Sequence, residues 1–554
     1  MKTYSINTQL DKKCFYSINN HTNMVEIFVH GEIYNHQDLY RQLRLDYPLK
    51  PCLEEIVFYT LLKWNRKGIS KLEGPFTIII KQKDTVYVIR DPLGLVPTYY
   101  SYYQNYLYVS DQVEGILTTS NQNFVVGQQQ LLDLFAFGPS IPESHTLCKN
   151  VYELPMASYL QFRNGNITVT QYYKLPIYQH KDDELTTIKT VRSLLDHSIH
   201  QQYKNCHASF LSGGIDSSVI TATCSNDSHV RTYSLDYQDN DKYAVATQFL
   251  PSLDHPYIES MVTNYQTEHT FLTIQQQTIV NTLKTAMLAQ QKPGMADIDA
   301  SFLWLCQKVK SKEDCILSGE CSDEIFGGYP WFYQTTLQQT PNFPWLRYQD
   351  EKIELLNNKF QSIDYAGYVQ QEYDSSISKC TFLSMNEDDD QYRKYSYLCL
   401  HWFMQTLIKR QYSISQATNL TIRNPFANVA LMEYVYNIPW NLQFKNHTEK
   451  YILRNAYKKE LPLSILNRKK SPYPKTQNPQ YNRLVCDLLK KSYDNENSIL
   501  HLLFDDQKLR LLIDSNGSSF LLPWYGQLMS GPQLLGYIYQ IEQWFKHYNI
   551  KIVY

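Results

Sequence analysis

The sequence predicts an α/β protein in two parts: an N-terminal antiparallel β-sandwich with helices, followed by a parallel sheet with covering helices. The first 175 residues contain short β-branched and aromatic runs between turn residues, which is typical of antiparallel strands: VEIFVHGEIY, FTIIIKQ, TVYVIRD, TYYSYY and NYLYVSD. Beyond them, HASF, VRTYSLDY and DCILSGE alternate with helical patterns, which indicates a parallel sheet. From about residue 391 the chain is predicted to be mainly helical.

Two helical patterns and one polar stretch divide the chain into domains. LEEIVFYTLLKWNRKG is predicted to form one helix on the N-terminal sheet, with Gly68 as its end. The predicted linker is residues 179–184, QHKDDE. The segment after it, TIKTVRSLLDHSIHQQY, is predicted to be an amphipathic helix. We therefore expect one domain over residues 1–178 and a second over residues 185–554.

The composition narrows the classes of partner. The 554 residues carry a formal net charge of −2, so no basic field predicts binding to nucleic acid or to an anionic membrane. The opening residues lack the apolar core of a secretion signal, and no run of about 18 apolar residues could span a bilayer. The 11 Cys show neither CxxC pairs nor zinc-site spacing, which fits a reducing compartment, and we expect a cytoplasmic location.

A glycine turn follows the strand HASF. In FLSGGIDSS, residues 210–218, two glycines allow the backbone to approach an anion, while Ser hydroxyls and helix N-terminal amides point toward it. The turn lacks the Lys of a Walker loop. Asp216 is the predicted Mg²⁺ ligand, because Mg²⁺ prefers carboxylate oxygens; the alternative is a ligand-free turn capped by Asp216. The nucleotide-binding residues predicted here are Ser212, Gly213, Gly214, Asp216, Ser217 and Ser218.

A second glycine turn, ILSGECSDEIFGGY at residues 316–329, follows the strand DCIL. Glu320, Asp323 and Glu324 place three carboxylates within five residues, and these repel one another unless they share a cation or a proton. Asp323 is the candidate second Mg²⁺ ligand, and Glu320 is the candidate general base toward an attacking amine. The alternative is a solvated acidic helix start, in which the acids complement the helix dipole.

Basic residues gather near the C-terminus. NRKKSPYPK, at residues 467–475, is a proline-stiffened basic loop, and EKYILR, at residues 449–454, offers further cations near a helix start. A site that releases pyrophosphate needs positive charge over the leaving group, and Lys470 is the predicted catalytic lysine. The alternative is a solvated basic patch on the surface.

These motifs together resemble a known family. SGGxDS is similar to the pyrophosphate loop of the ATP pyrophosphatases. LSGGIDSS, LSGECSDEIFGGY, EKYILRNA, LPLSILNRKKSPYPKT and PWYGQLM follow one another from Leu211 onward, and in that order they resemble bacterial glutamine-hydrolysing asparagine synthetases. The N-terminal GEIYNHQDL, LEGPFTIII and IRDPLGLVPTYY look like the glutaminase domain of that family, which has the Ntn-hydrolase type of fold.

The resemblance implies a two-step reaction that uses ATP and Mg²⁺. A carboxylate, normally the side chain of aspartate, attacks ATP to give an acyl-adenylate and pyrophosphate, and ammonia then displaces AMP to form the amide. By resemblance, Asp216 and Asp323 hold Mg²⁺, Glu320 activates the amine, and Lys470 is the catalytic lysine. The residues that the resemblance adds to the nucleotide site are Leu211, Leu235, Ser318 and Gly319.

The N-terminal part departs from the family where glutamine hydrolysis takes place. The family uses an N-terminal Cys as nucleophile, whereas residue 2 here is Lys2, and Cys14 is internal. His30 stands in place of the Asn of the oxyanion hole, and Leu53 in place of the Asp that binds the glutamine amine. Because the loss of one oxyanion donor already costs about 100-fold in rate, we expect this domain to have lost its glutaminase activity.

Three functions stay open. The first is an asparagine synthetase that takes free ammonia, or ammonia from a partner glutaminase; the expected protein partner is a separate glutaminase or a second copy of the chain in a homodimer. The second is an amide or lactam synthetase of specialised or peptide metabolism, like β-lactam synthetases and lasso-peptide cyclases, which use an amine of the substrate. It is favoured by the missing glutaminase residues and by changes near the amino-acid substrate. Thr421 and Asn428 replace acids of the family, and charged residues of other types are usual at Lys409, Tyr412 and Ser413. The third is a non-catalytic paralogue, which the retained acids and lysine disfavour.

Overall fold

A computed structural model describes residues 3–6, 16–20, 23–44, 52–243, 253–338, 341–347, 349–384, 386–526 and 531–553. The chain forms two compact units. Unit 1 comprises Met1–Val125, Glu143–Pro176 and Asn428–Glu433, and unit 2 comprises Val126–Pro142, Ile177–Ala427 and Tyr434–Tyr554. Among the described residues, no helix has both the length and the apolar composition of a membrane span.

The elements described up to residue 171 are strands and helices of at most 12 residues. They are β1 (Thr3–Ile6), β2 (Tyr16–Asn20), β3 (Asn23–Gly31), α1 (His36–Leu43), α2 (Leu53–Trp64), α3 (Arg66–Ile69), β4 (Phe76–Gln82), β5 (Thr85–Arg90), β6 (Tyr99–Tyr103), β7 (Tyr106–Ser110), α4 (Val113–Ser120), β8 (Val125–Val126), α5 (Gln128–Phe137), β9 (Tyr152–Glu153), β10 (Ser158–Arg163) and β11 (Asn166–Gln171).

Unit 1 contains two antiparallel sheets, as predicted. One has six strands in the order β11-β10-β5-β4-β3-β2, and the other has four in the order β1-β7-β6-β9. Alternate residues of the strands point to opposite faces, so Ile79 and Val88 of the larger sheet meet Leu107 and Val109 of the smaller one in a shared core. The opposite face of the larger sheet packs against α1 and α2. Unit 1 is therefore a β-sandwich with helices.

The helix predicted over LEEIVFYTLLKWNRKG is in fact two helices. α2 ends at Trp64 because Asn65 adopts a positive φ of 51°, and α3 follows directly. Gly68 was expected to end the helix, and this prediction is wrong because Gly68 lies inside α3. A Cβ at Gly68 would lie 2.7 Å from the carbonyl oxygen of Thr60, so the glycine serves the close approach of α3 to α2.

Helices predominate beyond the linker. The elements are α6 (Glu184–Tyr203), β12 (Ala208–Phe210), α7 (Ile215–Ser225), β13 (Arg231–Tyr237), α8 (Asn240–Tyr243), α9 (His255–Tyr265), β14 (Glu268–Ile274), α10 (Gln276–Gln290), α11 (Asp297–Lys310), β15 (Cys315–Leu317), α12 (Ser322–Phe326), α13 (Gln349–Ile353), α14 (Asn358–Gln361), α15 (Tyr365–Lys379), α16 (Glu387–Leu398), α17 (Met404–Thr418), β16 (Thr421–Arg423), α18 (Val429–Tyr436), α19 (Trp440–Gln443), α20 (Tyr451–Ala456), α21 (Leu463–Leu466), α22 (Pro479–Tyr493), α23 (Leu500–Leu503), α24 (Asp506–Asp514), α25 (Pro532–His547) and β17 (Lys551–Ile552). Single 3₁₀ turns lie at Pro330–Phe332 and Thr335–Leu337, and a π turn at Cys399–Phe403 joins α16 to α17.

The predicted linker is one residue too long at its C-terminal end. Asp183 caps α6, because its carboxylate accepts a hydrogen bond of 2.7 Å from the backbone N–H of Thr186. Glu184 is therefore the first residue of the helix rather than the last residue of the linker.

The sheet of unit 2 is parallel and sets the position of the site. Its five strands lie in the order β14-β13-β12-β15-β16. β13 and β14, which follow β12 along the chain, extend the sheet to one side, while β15 and β16 extend it to the other, with Ser209 paired to Leu317 where the two halves meet. The loops after β12 and β15 diverge at this switch point, which is where doubly wound sheets open a ligand crevice. Both predicted glycine turns are these loops.

Candidate active site

The first glycine turn is held in shape by its own serines. The Ser217 hydroxyl lies 3.1 Å from the Ser212 hydroxyl and accepts a hydrogen bond of 3.1 Å from the Ser212 backbone N–H. Gly213 has a φ of 67°, a conformation in which L-residues are strained, and Gly214 precedes the first residue of α7. The sequence therefore builds a tight strand-to-helix turn, with Asp216 in the first turn of α7.

The second glycine turn packs directly on the first. The Ser318 backbone N–H donates to the carbonyl of Arg423 at 2.9 Å, which continues the pairing of β15 with β16. A Cβ at Gly319 would lie 3.1 Å from the Cβ of Asp216, so only a small residue lets the two turns approach this closely. Cys321 follows in a left-handed conformation with a φ of 76° and turns the chain into α12.

Asp216 and Asp323 face one another and share one cation. Lys450 Nζ lies 2.6 Å from Asp216 Oδ1 and 2.6 Å from Asp323 Oδ1. The Ser322 hydroxyl donates to Asp216 Oδ1 at 2.6 Å, and Lys470 Nζ lies 2.5 Å from the other oxygen of Asp323. Carboxylates from two distant parts of the chain are therefore tied together by Lys450, and Lys470 adds a second cation at Asp323.

The lysines control the ionisation of Asp323. Burial would raise the pKa of this carboxyl, but the ammonium groups of Lys450 and Lys470 outweigh burial and lower the pKa to about 2. Burial alone would lower the pKa of Lys470, and the negative charge of Asp323 and Asp216 raises it above its ordinary value instead. Asp323 is an anion and Lys470 a cation at neutral pH.

Most of the predicted site residues surround one cavity of about 210 Å³. Of the predicted residues, those that line it are Leu211, Ser212, Asp216, Ser217, Leu235, Ser318, Gly319, Glu320, Asp323 and Lys470. Three others do not line it. Gly213 and Gly214 contribute through the shape of the turn, and Ser218 is fully buried within α7.

Two arginines support the site, Arg410 in the wall of the cavity and Arg468 behind the first turn, and the sequence interpretation selected neither as a site residue. Arg468 donates from Nη1 to the carbonyl of Ser212 at 2.9 Å and pairs with Asp254, so it braces the first turn. Arg410 is buried on α17, 3.6 Å from Glu320 and 3.8 Å from the fully buried Asp299. Basic side chains are usually solvated, so neither arginine carries a local sequence signal of burial.

The pair Asp216 and Asp323 fits a magnesium site that substrate phosphates would complete. Carboxylate oxygens are the ligands that Mg²⁺ prefers, and Mg²⁺ commonly takes one or two of them together with phosphate oxygens. Within the described ranges, no group of three or more His, Cys, Asp or Glu side chains could hold a metal ion. The two carboxylates therefore depend on phosphate or water oxygens for the rest of a coordination shell.

The residues that depart from the family do not cluster at this cavity. Tyr412 and Ser413 lie on α17 close to Arg410 in sequence but line neither this cavity nor the one beside it. In unit 1, the Nε2 atom of His30 lies 3.4 Å from Oδ2 of Asp111, and Leu53 is the first residue of α2. Lys2 and Cys14 lie outside the described residues. The expected loss of glutaminase activity stays a prediction.

Comparisons with known proteins agree with this architecture. Residues 190–546 match the asparagine synthase family, and residues 12–173 match the glutamine amidotransferase domain. Asparagine synthetase [glutamine-hydrolyzing] 3 of Bacillus subtilis is 36% identical over 542 residues, which are 95% of this chain and 88% of that protein. Asparagine synthetase [glutamine-hydrolyzing] 1 of the same organism is 24% identical over 86% of this chain and 81% of its own. Asparagine synthetase B of Escherichia coli is 23% identical over 55% of this chain and 52% of its own.

An antiparallel amidotransferase-type domain joined to a parallel sheet with two glycine turns defines a two-domain ligase of the amide-forming class. The chain belongs to the asparagine synthase family.

Proposed function

We propose that the chain activates an organic carboxylate with ATP and then converts the activated acyl group into an amide. One observation carries the proposal: Asp216 and Asp323, from the two glycine turns, face each other across Lys450 at one cavity of about 210 Å³. This arrangement would provide phosphate-binding turns, carboxylates for a divalent ion, and positive charge in one place. Bound there with ATP, Mg²⁺ would neutralise the charge of the departing pyrophosphate.

In the first step, a carboxylate oxygen of the substrate attacks the α-phosphorus of ATP. The bond from that phosphorus to the bridging oxygen breaks, and pyrophosphate leaves with the electron pair. Lys470, whose ammonium is held by Asp323, would balance negative charge that develops during the transfer. The amides and hydroxyls of Ser212 and Ser217 would hold the phosphates in place.

In the second step, an amine nitrogen attacks the acyl carbon, the bond to the AMP oxygen breaks, and AMP leaves. The nitrogen must then lose a proton. Glu320 lines the cavity, and its side chain is 25% exposed, so it is accessible to accept that proton. Arg410, 3.6 Å away, keeps the carboxylate in position.

Ammonia is the nitrogen donor that we propose, with aspartate, the carboxylate of the family, as the first substrate to test. We propose a glutaminase-like domain over residues 1–178 and a synthetase domain over residues 185–554. His30 and Leu53 replace residues that glutamine hydrolysis needs, so ammonia would come from solution or from a separate glutaminase. An amide synthetase that uses a substrate amine is the second candidate, favoured by the same replacements at His30 and Leu53.

The test is incubation with ATP, Mg²⁺ and aspartate, with either ammonia or glutamine, and measurement of pyrophosphate, AMP and asparagine. Asparagine from ammonia but not from glutamine supports the first candidate. Pyrophosphate released only with another carboxylate supports the second. If no carboxylate releases pyrophosphate and ATP does not bind, the chain is the non-catalytic paralogue and the proposal is wrong.

A further inference from the structure

A second cavity, of about 130 Å³, opens beside the first in unit 2. Four charged residues line both cavities and so mark their junction: Glu320, Asp323, Arg410 and Lys470. A substrate whose carboxylate lies at this junction would therefore have the second cavity as adjoining space for the rest of the molecule. We call this second cavity the aromatic cavity.

Beyond the junction, the described residues that line the aromatic cavity are all uncharged. Phe403 and Leu407 lie four residues apart on the π turn and α17, so they present one face to the cavity. Trp331 packs against Phe403 with 5.4 Å between ring centroids, and Tyr525 stacks on Phe403 at 6.0 Å. Contacts between rings at these distances stabilise a wall of fixed shape.

The cations at the junction are already engaged. Lys470 pairs with Asp323, while Arg410 lies between Glu320 and Asp299. Arg410 Nε is buried and has no hydrogen-bond partner among the described residues. A second carboxylate or an ammonium group on the substrate would enter the uncharged cavity without a partner, and burying an unpaired charge is strongly unfavourable.

From these observations we propose that the aromatic cavity binds the body of the carboxylate substrate, and that this substrate is a monocarboxylic acid with an uncharged aromatic or branched aliphatic body. The cavity volume limits its size, since an apolar cavity of about 150 Å³ holds one benzene molecule. Aspartate, with two carboxylates and an ammonium group, is a poor match. This inference rests on the proposed activation of a carboxylate by ATP.

A panel of acids tests the substrate class. The full-length protein is incubated with ATP, Mg²⁺ and ammonia together with 3-phenylpropionate, 4-methylpentanoate or aspartate, and pyrophosphate release is followed. We expect kcat/KM for the two apolar acids to exceed that for aspartate by at least about tenfold, as expected when a charge must be buried unpaired. A preference for aspartate overturns the inference and leaves the proposed function intact. No release with any acid contradicts the proposed function, and the binding measurement that follows then decides the cavity assignment.

Calorimetric binding in the presence of Mg²⁺ and a non-hydrolysable ATP analogue separates binding from turnover. Binding of 3-phenylpropionate without turnover supports the cavity assignment while contradicting the proposed chemistry. Absence of binding, in a protein that binds the nucleotide analogue, overturns the assignment.

Variants test the wall of the cavity. Leu407→Asn replaces an apolar wall group with an amide of similar size, and it should raise KM for 3-phenylpropionate about tenfold while leaving KM for ATP unchanged. Leu511→Asn, at a position 61% exposed on α24, is the matched control and should change neither value. Phe403→Leu should enlarge the cavity and relax discrimination against 3-(2-naphthyl)propionate. If Leu407→Asn does not fold, Phe403→Leu still provides the test. Unchanged discrimination against 3-(2-naphthyl)propionate in Phe403→Leu contradicts the inference.

Discussion

Asp216 and Asp323 stand on separate glycine turns, and a single ammonium group, that of Lys450, lies 2.6 Å from an oxygen of each. The lysine comes from the residue before α20, where its left-handed backbone starts the helix. Its side chain is only 1% exposed, so water contributes little to screening the two carboxylates. Lys450 therefore holds the two turns together before any substrate arrives.

Replacing Lys450 with Met should destabilise unit 2, because two buried carboxylates would then face each other without their shared cation. Removing one partner of a buried ion pair costs about 3–5 kcal/mol. Thermal unfolding followed by near-ultraviolet circular dichroism measures the loss. Mg²⁺ should recover more stability in this variant than in the unmodified protein, since the ion can take the place of the ammonium group.

Lys445→Met is the control for that prediction. Lys445 also pairs with an acid, Glu184, but its side chain is 38% exposed and that of its partner 36%. Exposed pairs of this kind contribute about 0–1 kcal/mol. An equal loss of melting temperature in the two variants would show that Lys450 has no special place between the carboxylates.

The two glycines of the first turn should respond differently to alanine. A Cβ at Gly213 would lie 2.6 Å from the Cβ of Tyr257 and 2.9 Å from the backbone nitrogen of Ile258, and its φ is already positive. At Gly214, where φ is −77°, the nearest atom would be the Ser212 hydroxyl at 3.4 Å. We expect Gly213→Ala to lower the free energy of unfolding by at least about 1–2 kcal/mol, from backbone strain alone.

Gly214→Ala should leave the melting temperature nearly unchanged, which makes it the matched comparison for Gly213→Ala. Thermal unfolding of both variants, followed by calorimetric binding of an ATP analogue, gives the measurement. If both substitutions are tolerated equally, the turn does not have the close approach to Tyr257 and Ile258 that the structure describes.

These two turns could be predicted from the sequence because the residues that form each turn are close together in the chain. A strand, two small residues and an acid within nine residues predict a strand-to-helix turn, and the structure contains both turns. The bridging role of Lys450 was not predicted, since 234 residues separate it from Asp216. The break at Asn65 was missed for a different reason: the apolar pattern continues past it, and only its positive φ ends α2. Patterns of residue types predict neither contacts between distant segments nor the backbone conformation of a single residue.

Lys352, which lines neither cavity of the site, should make the stability of the protein depend on pH. It lies beside a small cavity lined by apolar groups such as Phe504 and Ile538, where it donates to the carbonyl of Trp524 at 3.2 Å. Burial lowers the pKa of Lys352 to about 7, from an ordinary value of 10.5. Between these values the unfolded chain binds more protons than the folded chain, so stability should rise with pH from about 7 to 10.

Lys352→Met should therefore raise the melting temperature at pH 7, because the cost of burying an amine that prefers to be charged disappears. The gain should shrink as the pH approaches 10, where the unfolded lysine also begins to lose its proton. Lys459→Met, at an exposed position, is the control and should show neither effect. Melting temperatures measured at pH 7, 8.5 and 10 give the comparison, and a gain that does not vary with pH would contradict the burial of a neutral amine.

Substitutions of Lys470 and of its neighbour Lys469 should have very different effects on the activity of the protein. Lys470 Nζ lies 2.5 Å from Asp323 at the first cavity, whereas Lys469 is exposed and lines neither cavity. Lys470→Met should lower kcat for pyrophosphate release by about 100-fold or more, the loss found when one charge-stabilising group leaves an active site. KM for ATP should change much less, because the turns still hold the phosphates.

Lys469→Met should retain full turnover, which excludes a general effect of the basic loop. Lys470→Arg should recover part of the lost rate, since it restores the charge with a different shape. If Lys470→Met turns over at the unmodified rate, the transferring phosphorus does not lie beside this lysine, and the assignment of the first cavity to the chemistry is wrong.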